Sequence, residues 1–253
     1  MPHSYFDLPG PRVLAHRGLA RGVPENTLAA FERALAAGAS YLETDVHVSA
    51  DGEAVISHDH DLSRLAGRSE TVASLTAKEL GALDLGAGHG LPTLRAALAA
   101  FPQARFNIDV KVAGATRPTV RAVLEAEAVG RVLITSFDER RRRATVAGLP
   151  GVATSASAVA VLRAVAATRV RSLAAFRAAV QGLHALQVPE RYGRVRVVTP
   201  RLIELAHRAG IEVHVWTVDD EGDMHRLLDL GVDGIVTDRA DLGLPLVAGR
   251  RTG

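Results

Sequence analysis

Leu14-Ala-His-Arg-Gly18, Pro24-Glu-Asn-Thr27, Leu42-Glu-Thr-Asp-Val46, Ser49-Ala-Asp-Gly52 and Ile56-Ser-His-Asp59 follow one another within fewer than fifty residues. The middle segment decides the reading. From Tyr41 to Val48 the residues alternate: Leu42, Thr44, Val46 and Val48 fall on one face of a strand, and Glu43, Asp45 and His47 on the other. Two carboxylates that share a face repel, and each is raised in pKa unless a cation stands between them. Oxygen-only donors of this kind suit magnesium or calcium rather than zinc. Taken alone, the pattern also fits a solvated strand face that carries two acids. The flanks weigh against that. His16-Arg17-Gly18 follows the apolar run 12–15, Pro24 to Thr27 opens a helix with Leu28, Phe31, Leu35 and Ala36 at helical spacing, and 54–57 is a short strand delivering His58-Asp59.

Outward from this stretch, β-rich runs alternate with helical ones, the sign of βα units around a parallel sheet. Strands are expected near Val13–Ala15, Tyr41–His47, Arg105–Lys111, Val132–Ser136, Val152–Ser155, Ala185–Val188, Glu212–Val218 and Gly234–Thr237, which makes eight. Amphipathic helices fall between them, as at Thr93–Phe101, Thr119–Ala128, Pro200–Ala209 and Glu221–Leu230, with Gly210 and Gly231 closing the last two. Ala- and Arg-rich helices fill 157–180, and Arg140 to Arg143 read as a solvated helix face. A chain of 253 residues is about the size of one α/β barrel. The expected fold is therefore a TIM-type (β/α)8 barrel forming a single domain over 1–253. Residues 51–92, too long for a minimal unit, read as a small insertion after the second strand, over the barrel's mouth.

Composition excludes several classes. There is no cysteine, hence no thiol catalysis and no cysteine-ligated zinc. A formal net charge of only +2 does not mark a nucleic-acid binder. The N-terminus lacks the basic start and apolar core of a signal peptide. The most apolar later stretch, 156–167, is interrupted by Arg163 and too short for a membrane span. A cytoplasmic protein with a small-molecule partner is the expectation, and the sequence leaves the oligomeric state open. Of the 30 basic residues only Lys78 and Lys111 are lysines.

In such a barrel, reactive groups gather at the C-terminal ends of strands. His16 and Arg17 end the first strand, Glu43 and Asp45 lie toward the end of the second, and Asp109 and Lys111 end the third. Asp109 and Lys111 share a face, while Ile108 and Val110 point to the helices. Buried charges need partners, and Glu43, Asp45 and Asp109 come from neighbouring strands, close enough to hold one divalent cation. Arg17 and Lys111 can neutralise the oxygens of an anionic group, and histidines near pKa ~6.5 are apt for proton transfer.

The order HRG, ENTLAAF, GA-x-x-LETDV, S-x-DG and HD resembles the glycerophosphodiester phosphodiesterase family. The similarity returns at 107–111, 135–137, 215–218 and 231–238, and so spans almost the whole chain. The resemblance implies metal-dependent hydrolysis of glycerophosphodiesters to glycerol 3-phosphate and an alcohol. It puts Glu43, Asp45 and Asp109 on the family's metal ligands, Mg2+ or Ca2+ being the cation, and His16 and His58 on its acid and base. Aspartate at 109 departs from the family's more frequent glutamate. Water and the substrate's own neighbouring hydroxyl both fit as nucleophile. His60 imitates His58 but does not follow the strand directly; His47 shares the metal face and lies beyond it. Trp216 shares its face with His214 and reads either as core or as a wall for the glycerol or the leaving group. His3, His89, His184, His207 and His225 read as structural or exposed. A lysophospholipase D or sphingomyelinase D-like enzyme on the same barrel would need an apolar channel or membrane-facing loops, for which an aromatic content of 4% offers little. A non-catalytic phosphate-binding barrel would have no use for two histidines.

Overall fold

In the computed structural model, which describes residues 4–251, the eight expected strands stand side by side. They are β1 (Arg12–His16), β2 (Tyr41–Val48), β4 (Arg105–Val110), β5 (Val132–Thr135), β6 (Ala153–Thr154), β7 (Ala185–Pro189), β10 (Glu212–Trp216) and β11 (Gly234–Thr237). The remaining strands are β3 (Ala54–Ile56) and a hairpin of β8 (Arg191–Tyr192) and β9 (Val195–Arg196). The parallel order is β6-β5-β4-β2-β1-β11-β10-β7. A parallel bridge between Ser155 and Ala185 brings the two ends of this series together. There the Ala156 N–H donates to the Ala185 carbonyl at 3.0 Å. The fold is a TIM-type barrel.

Helices alternate with the strands: α1 (Leu28–Ala36), α2 (Ser63–Ala66), α3 (Ala77–Gly81), α4 (Leu94–Ala100), α5 (Thr116–Glu125), α6 (Glu139–Ala147), α7 (Ala158–Arg169), α8 (Leu173–Ala179), α9 (Pro200–Arg208), α10 (Glu221–Leu230) and α11 (Ala240–Arg251). Thr27, Thr93, Asp138, Thr199 and Asp220 cap five of them by accepting a backbone N–H in the first turn. The insertion pairs β3 antiparallel to β2, with Val46 opposite Ile56. It carries its own small core of Val55, Leu62, Val72, Leu80 and Leu91.

Parity along the strands sorts the side chains. Leu42, Val46, Phe106, Ile108 and Val110 pack against the helices. Leu14, Tyr41, Leu133, Ala153, Ala185 and Val236 fill the barrel's lower interior. Polar side chains stacked on that layer are linked: Ser155 donates to Gln187 at 3.1 Å, and Gln187 Nε2 donates to Asn107 Oδ1 at 3.2 Å. Gly234 makes room for this arrangement, since a Cβ there would stand 2.7 Å from His214 Cδ2. Three features depart from the sequence reading. The β8–β9 hairpin was not expected, and β10 ends at Trp216 rather than Val218. The Arg140–Arg143 face is only half solvated: Arg142 is buried, donating to Thr154 Oγ1 at 3.1 Å and to Glu139, while Arg141 Nε reaches Ser136 Oγ at 2.6 Å.

At the barrel's foot, Arg12 grips Glu212 with Nε at 2.8 Å and a terminal nitrogen at 2.7 Å, and His214 Nε2 lies 2.9 Å from the same carboxylate. Burial opposes charge on Glu212, but the bonds to Arg12 and His214 outweigh it and hold the carboxyl down to about 2, against an ordinary 4.5. The folded-state pKa lies below the unfolded one, so this stabilisation is full above pH ~4.5 and disappears as the pH falls toward ~2. Glu212→Gln is expected to lower stability by about 3 kcal/mol at neutral pH. In denaturant titrations of the two proteins from neutral pH down to pH ~3 the gap should shrink to about half; a gap that persists undiminished would refute the assignment of that stability to ionised Glu212.

Candidate active site

The first strand ends at His16, and the chain then turns sharply. Arg17 sits at φ 54° and Gly18 at φ 86°. A Cβ on Gly18 would come within 2.6 Å of the Ala30 backbone, so only glycine lets this turn press against α1. The turn sends the Arg17 N–H to Glu43 Oε2 at 3.2 Å and its guanidinium to Glu25 at 2.9 Å, with Nε 3.3 Å from Asp45 Oδ2. Asn26, also left-handed at φ 56°, donates to Asp45 Oδ2 at 3.2 Å and accepts from Thr44 at 2.8 Å. The Pro-Glu-Asn-Thr segment thus opens α1 and also braces the carboxylates of β2.

Register places Asp45 opposite Asp109 and His16 opposite Glu43. Lys111, just past β4, puts its ammonium 2.8 Å from Asp45 Oδ1 and 2.9 Å from Asp109 Oδ2. Burial and repulsion from Asp45 and Asp109 push the Glu43 carboxyl up to about 8. For Asp45, burial is outweighed by Lys111 and Arg17, and its carboxyl lies below the usual range. Asp109 lies above it, chiefly through burial, and its Oδ1 is buried with no hydrogen-bond partner.

Two histidines stand at this wall, each held by an aspartate. His16 Nδ1 lies 2.7 Å from Asp238 Oδ1, across the seam where β11 pairs with β1, and Nε2 lies 3.9 Å from Glu43. Burial disfavours the charged imidazole, but Asp238 and Glu43 outweigh it and raise its pKa. His58 Nδ1 lies 2.8 Å from Asp59 Oδ1, and Arg64 grips Asp59 at 2.6 Å and Glu25 at 2.6 Å. His47 Nε2 lies 3.2 Å from the His58 carbonyl, so it braces that loop from behind. His60 points elsewhere: its side chain is 76% exposed and pairs with Asp61. Trp216 meets Phe137 edge-on at 5.9 Å.

All eight residues selected from the sequence, namely His16, Arg17, Glu43, Asp45, His58, Asp109, Lys111 and Trp216, line one cavity of about 1060 Å³. Its inner end is ionic, and its outer wall is apolar, built from Val161, Leu162, Val165, Val170 and Val195 with Tyr192. The low aromatic content therefore does not preclude an apolar channel, because aliphatic side chains build most of it. Among the described residues, no three histidine, aspartate or glutamate side chains are already gathered closely enough to hold a metal ion. His3 lies outside the described residues.

Residues 16–242 match the glycerophosphoryl diester phosphodiesterase family. The chain is 43% identical to a probable glycerophosphodiester phosphodiesterase 2 of Mycobacterium tuberculosis, over 92% of this chain and 89% of that relative. The chain belongs to the glycerophosphoryl diester phosphodiesterase family. This phosphodiesterase is also 31% identical to a glycerophosphodiester phosphodiesterase of Caldanaerobacter subterraneus, over 93% of this chain and 97% of that one. A phosphodiesterase of Oleispira antarctica, solved in complex with the product sn-glycerol-3-phosphate, aligns with a TM-score of 0.77 at 25% identity, over 93% of this chain and 96% of that one. The phosphodiesterase is an enzyme, a phosphoric diester hydrolase. Among the described residues, no helix is long and apolar enough to cross a membrane.

Asp238, Asp59, Glu25 and Arg64 had no part in the site read from the sequence. Asp238 could have been found from barrel closure alone, since the last strand of such a barrel must return beside the first.

Proposed function

We propose that this phosphodiesterase hydrolyses glycerophosphodiesters to glycerol 3-phosphate and an alcohol, using His16 and His58 as its acid–base pair and one divalent cation. The observation that carries this reading is the pair of His–Asp couples opening onto one cavity together with Arg17 and Lys111. Each aspartate binds Nδ1 and leaves Nε2 for proton transfer. One imidazole takes the proton from the attacking oxygen, whether of water or of the glycerol's neighbouring hydroxyl. The other returns a proton to the alkoxide oxygen as its bond to phosphorus breaks. Arg17 and Lys111, already fixed by carboxylates, meet the phosphate oxygens as their charge shifts, at no cost in reorganisation. Trp216 serves as a wall for the glycerol or the leaving group.

The carboxylate donor set suits a hard cation, around which the three side chains would have to draw closer than they stand here. Glu43, Asp45 and Asp109 crowd more buried negative charge together than is comfortable, as the raised Glu43 and the orphaned Asp109 Oδ1 attest. These three would hold Mg2+ or Ca2+, which when bound supplies Lewis-acid charge neutralisation at the phosphate. Addition of either cation at about a hundred times its Kd is expected to stabilise the chelator-treated protein by about 2.7 kcal/mol, several degrees of melting temperature. Asp45→Asn should abolish that rise. Phosphorus NMR of glycerophosphocholine cleavage is the accompanying assay. Undiminished turnover after exhaustive chelation, with metal content verified near zero, would overturn the cation's role. The apolar outer wall favours a second reading, cleavage of lysophospholipids, and the same assay with lysophosphatidylcholine separates the two.

A further inference from the structure

We propose that the barrel's mouth docks on an anionic lipid bilayer through the exposed side of α7 and the β8–β9 hairpin. Helix α7 is apolar on both sides. Ala160, Ala164 and Ala167 face the core and are buried. On the solvent side Val159, Leu162, Ala166 and, just past the helix, Val170 recur at helical spacing, with Leu162 70% and Val170 72% exposed. A helix that carries apolar residues on its solvent side as well as on its core side is ordinarily covered by something. The hairpin adds Tyr192, 78% exposed, and Val195, 41% exposed. Leu162, Val170, Tyr192 and Val195 line the same cavity as the buried carboxylates. The exposed patch is therefore the rim of the cavity's apolar wall, continuous with the path inward.

Charge selects the partner. Arg163, Arg169 and Arg171 border the exposed side of α7, and Arg191, Arg194 and Arg196 alternate through the hairpin, all exposed. Among the described residues none of these six has an acidic partner, whereas Arg12, Arg64, Arg142 and Arg226 are each locked to a carboxylate. Unpaired arginines interleaved with exposed aliphatic and tyrosine side chains match an anionic bilayer surface, where headgroups meet the guanidinium groups and the acyl boundary takes Leu162, Val170 and Tyr192. A nucleic acid would use the arginines but has no need of the aliphatic side chains.

The test is co-sedimentation of the full chain with vesicles of phosphatidylcholine alone, or mixed equally with phosphatidylglycerol. Binding to the mixed vesicles only is expected. Replacing Arg191, Arg194 and Arg196 together by glutamine should weaken it on the order of a hundredfold. Turnover of the water-soluble substrate glycerophosphocholine and the melting curve should remain as in the wild type. Leu162→Asp combined with Val170→Asp should also release the protein while it stays folded. Failure of the wild type to bind mixed vesicles would overturn the proposal. So would binding that survives the aspartate pair and is matched by single-stranded RNA, since the surface would then be a general polyanion site.

Discussion

His58→Ala and His16→Ala are each expected to lower turnover of glycerophosphocholine by about 10²–10⁴-fold, the usual loss for a general acid or base. His60→Ala, two residues from the first of these, should change turnover less than about twofold. The contrast comes from where the rings lie. His58 lines the cavity, with Nδ1 fixed by Asp59 and that aspartate gripped by Arg64. His60 turns its side chain to solvent and pairs only with Asp61. Steady-state turnover by phosphorus NMR, with melting curves to verify folding, measures all three variants. Equal impairment of His58→Ala and His60→Ala would remove the acid–base role from the His58–Asp59 couple.

Lys111→Arg is expected to be nearly as inactive as Lys111→Ala, with a loss on the order of a hundredfold although the charge is kept. The ammonium sits between two buried carboxylates, 2.8 Å from Asp45 and 2.9 Å from Asp109. A guanidinium is wider, planar and forked, and needs a different approach to each oxygen. Seating one here must push apart two side chains that face each other across paired strands. In a chain that uses arginine at nearly every basic position, lysine here is an exception. Lys78→Arg, exposed on α3, is the control and should be silent. Turnover of Lys111→Arg close to the wild type would show that the position contributes charge and no geometry.

Much of this site was legible in the sequence because strand parity is a strict rule. Residues 43 and 45 must share a face, as must 109 and 111, and strand ends must carry the reactive groups. Partners contributed from far along the chain were not legible. Asp238 reaches His16 only because the last strand closes on the first, and the Glu25–Arg64–Asp59 clamp joins the opening of α1 to the insertion. Local pattern also misled at Arg142, where a run of four arginines looks solvated although this one turns inward to donate to Thr154 Oγ1 beneath the helix. The apolar outer wall was missed because it rests on valine and leucine rather than on aromatic residues. The hairpin at 191–196 has no buried face at all, so no hydrophobic period announces it.

The seam between β1 and β11 has a consequence for how this protein is made. His16 is translated 222 residues before the aspartate that orients it. Until the final strand has been synthesised and has zipped onto the first, the nascent chain holds only one of its two His–Asp couples and an open barrel edge. A translation product that stops before that strand therefore carries His16 without the aspartate that holds its ring.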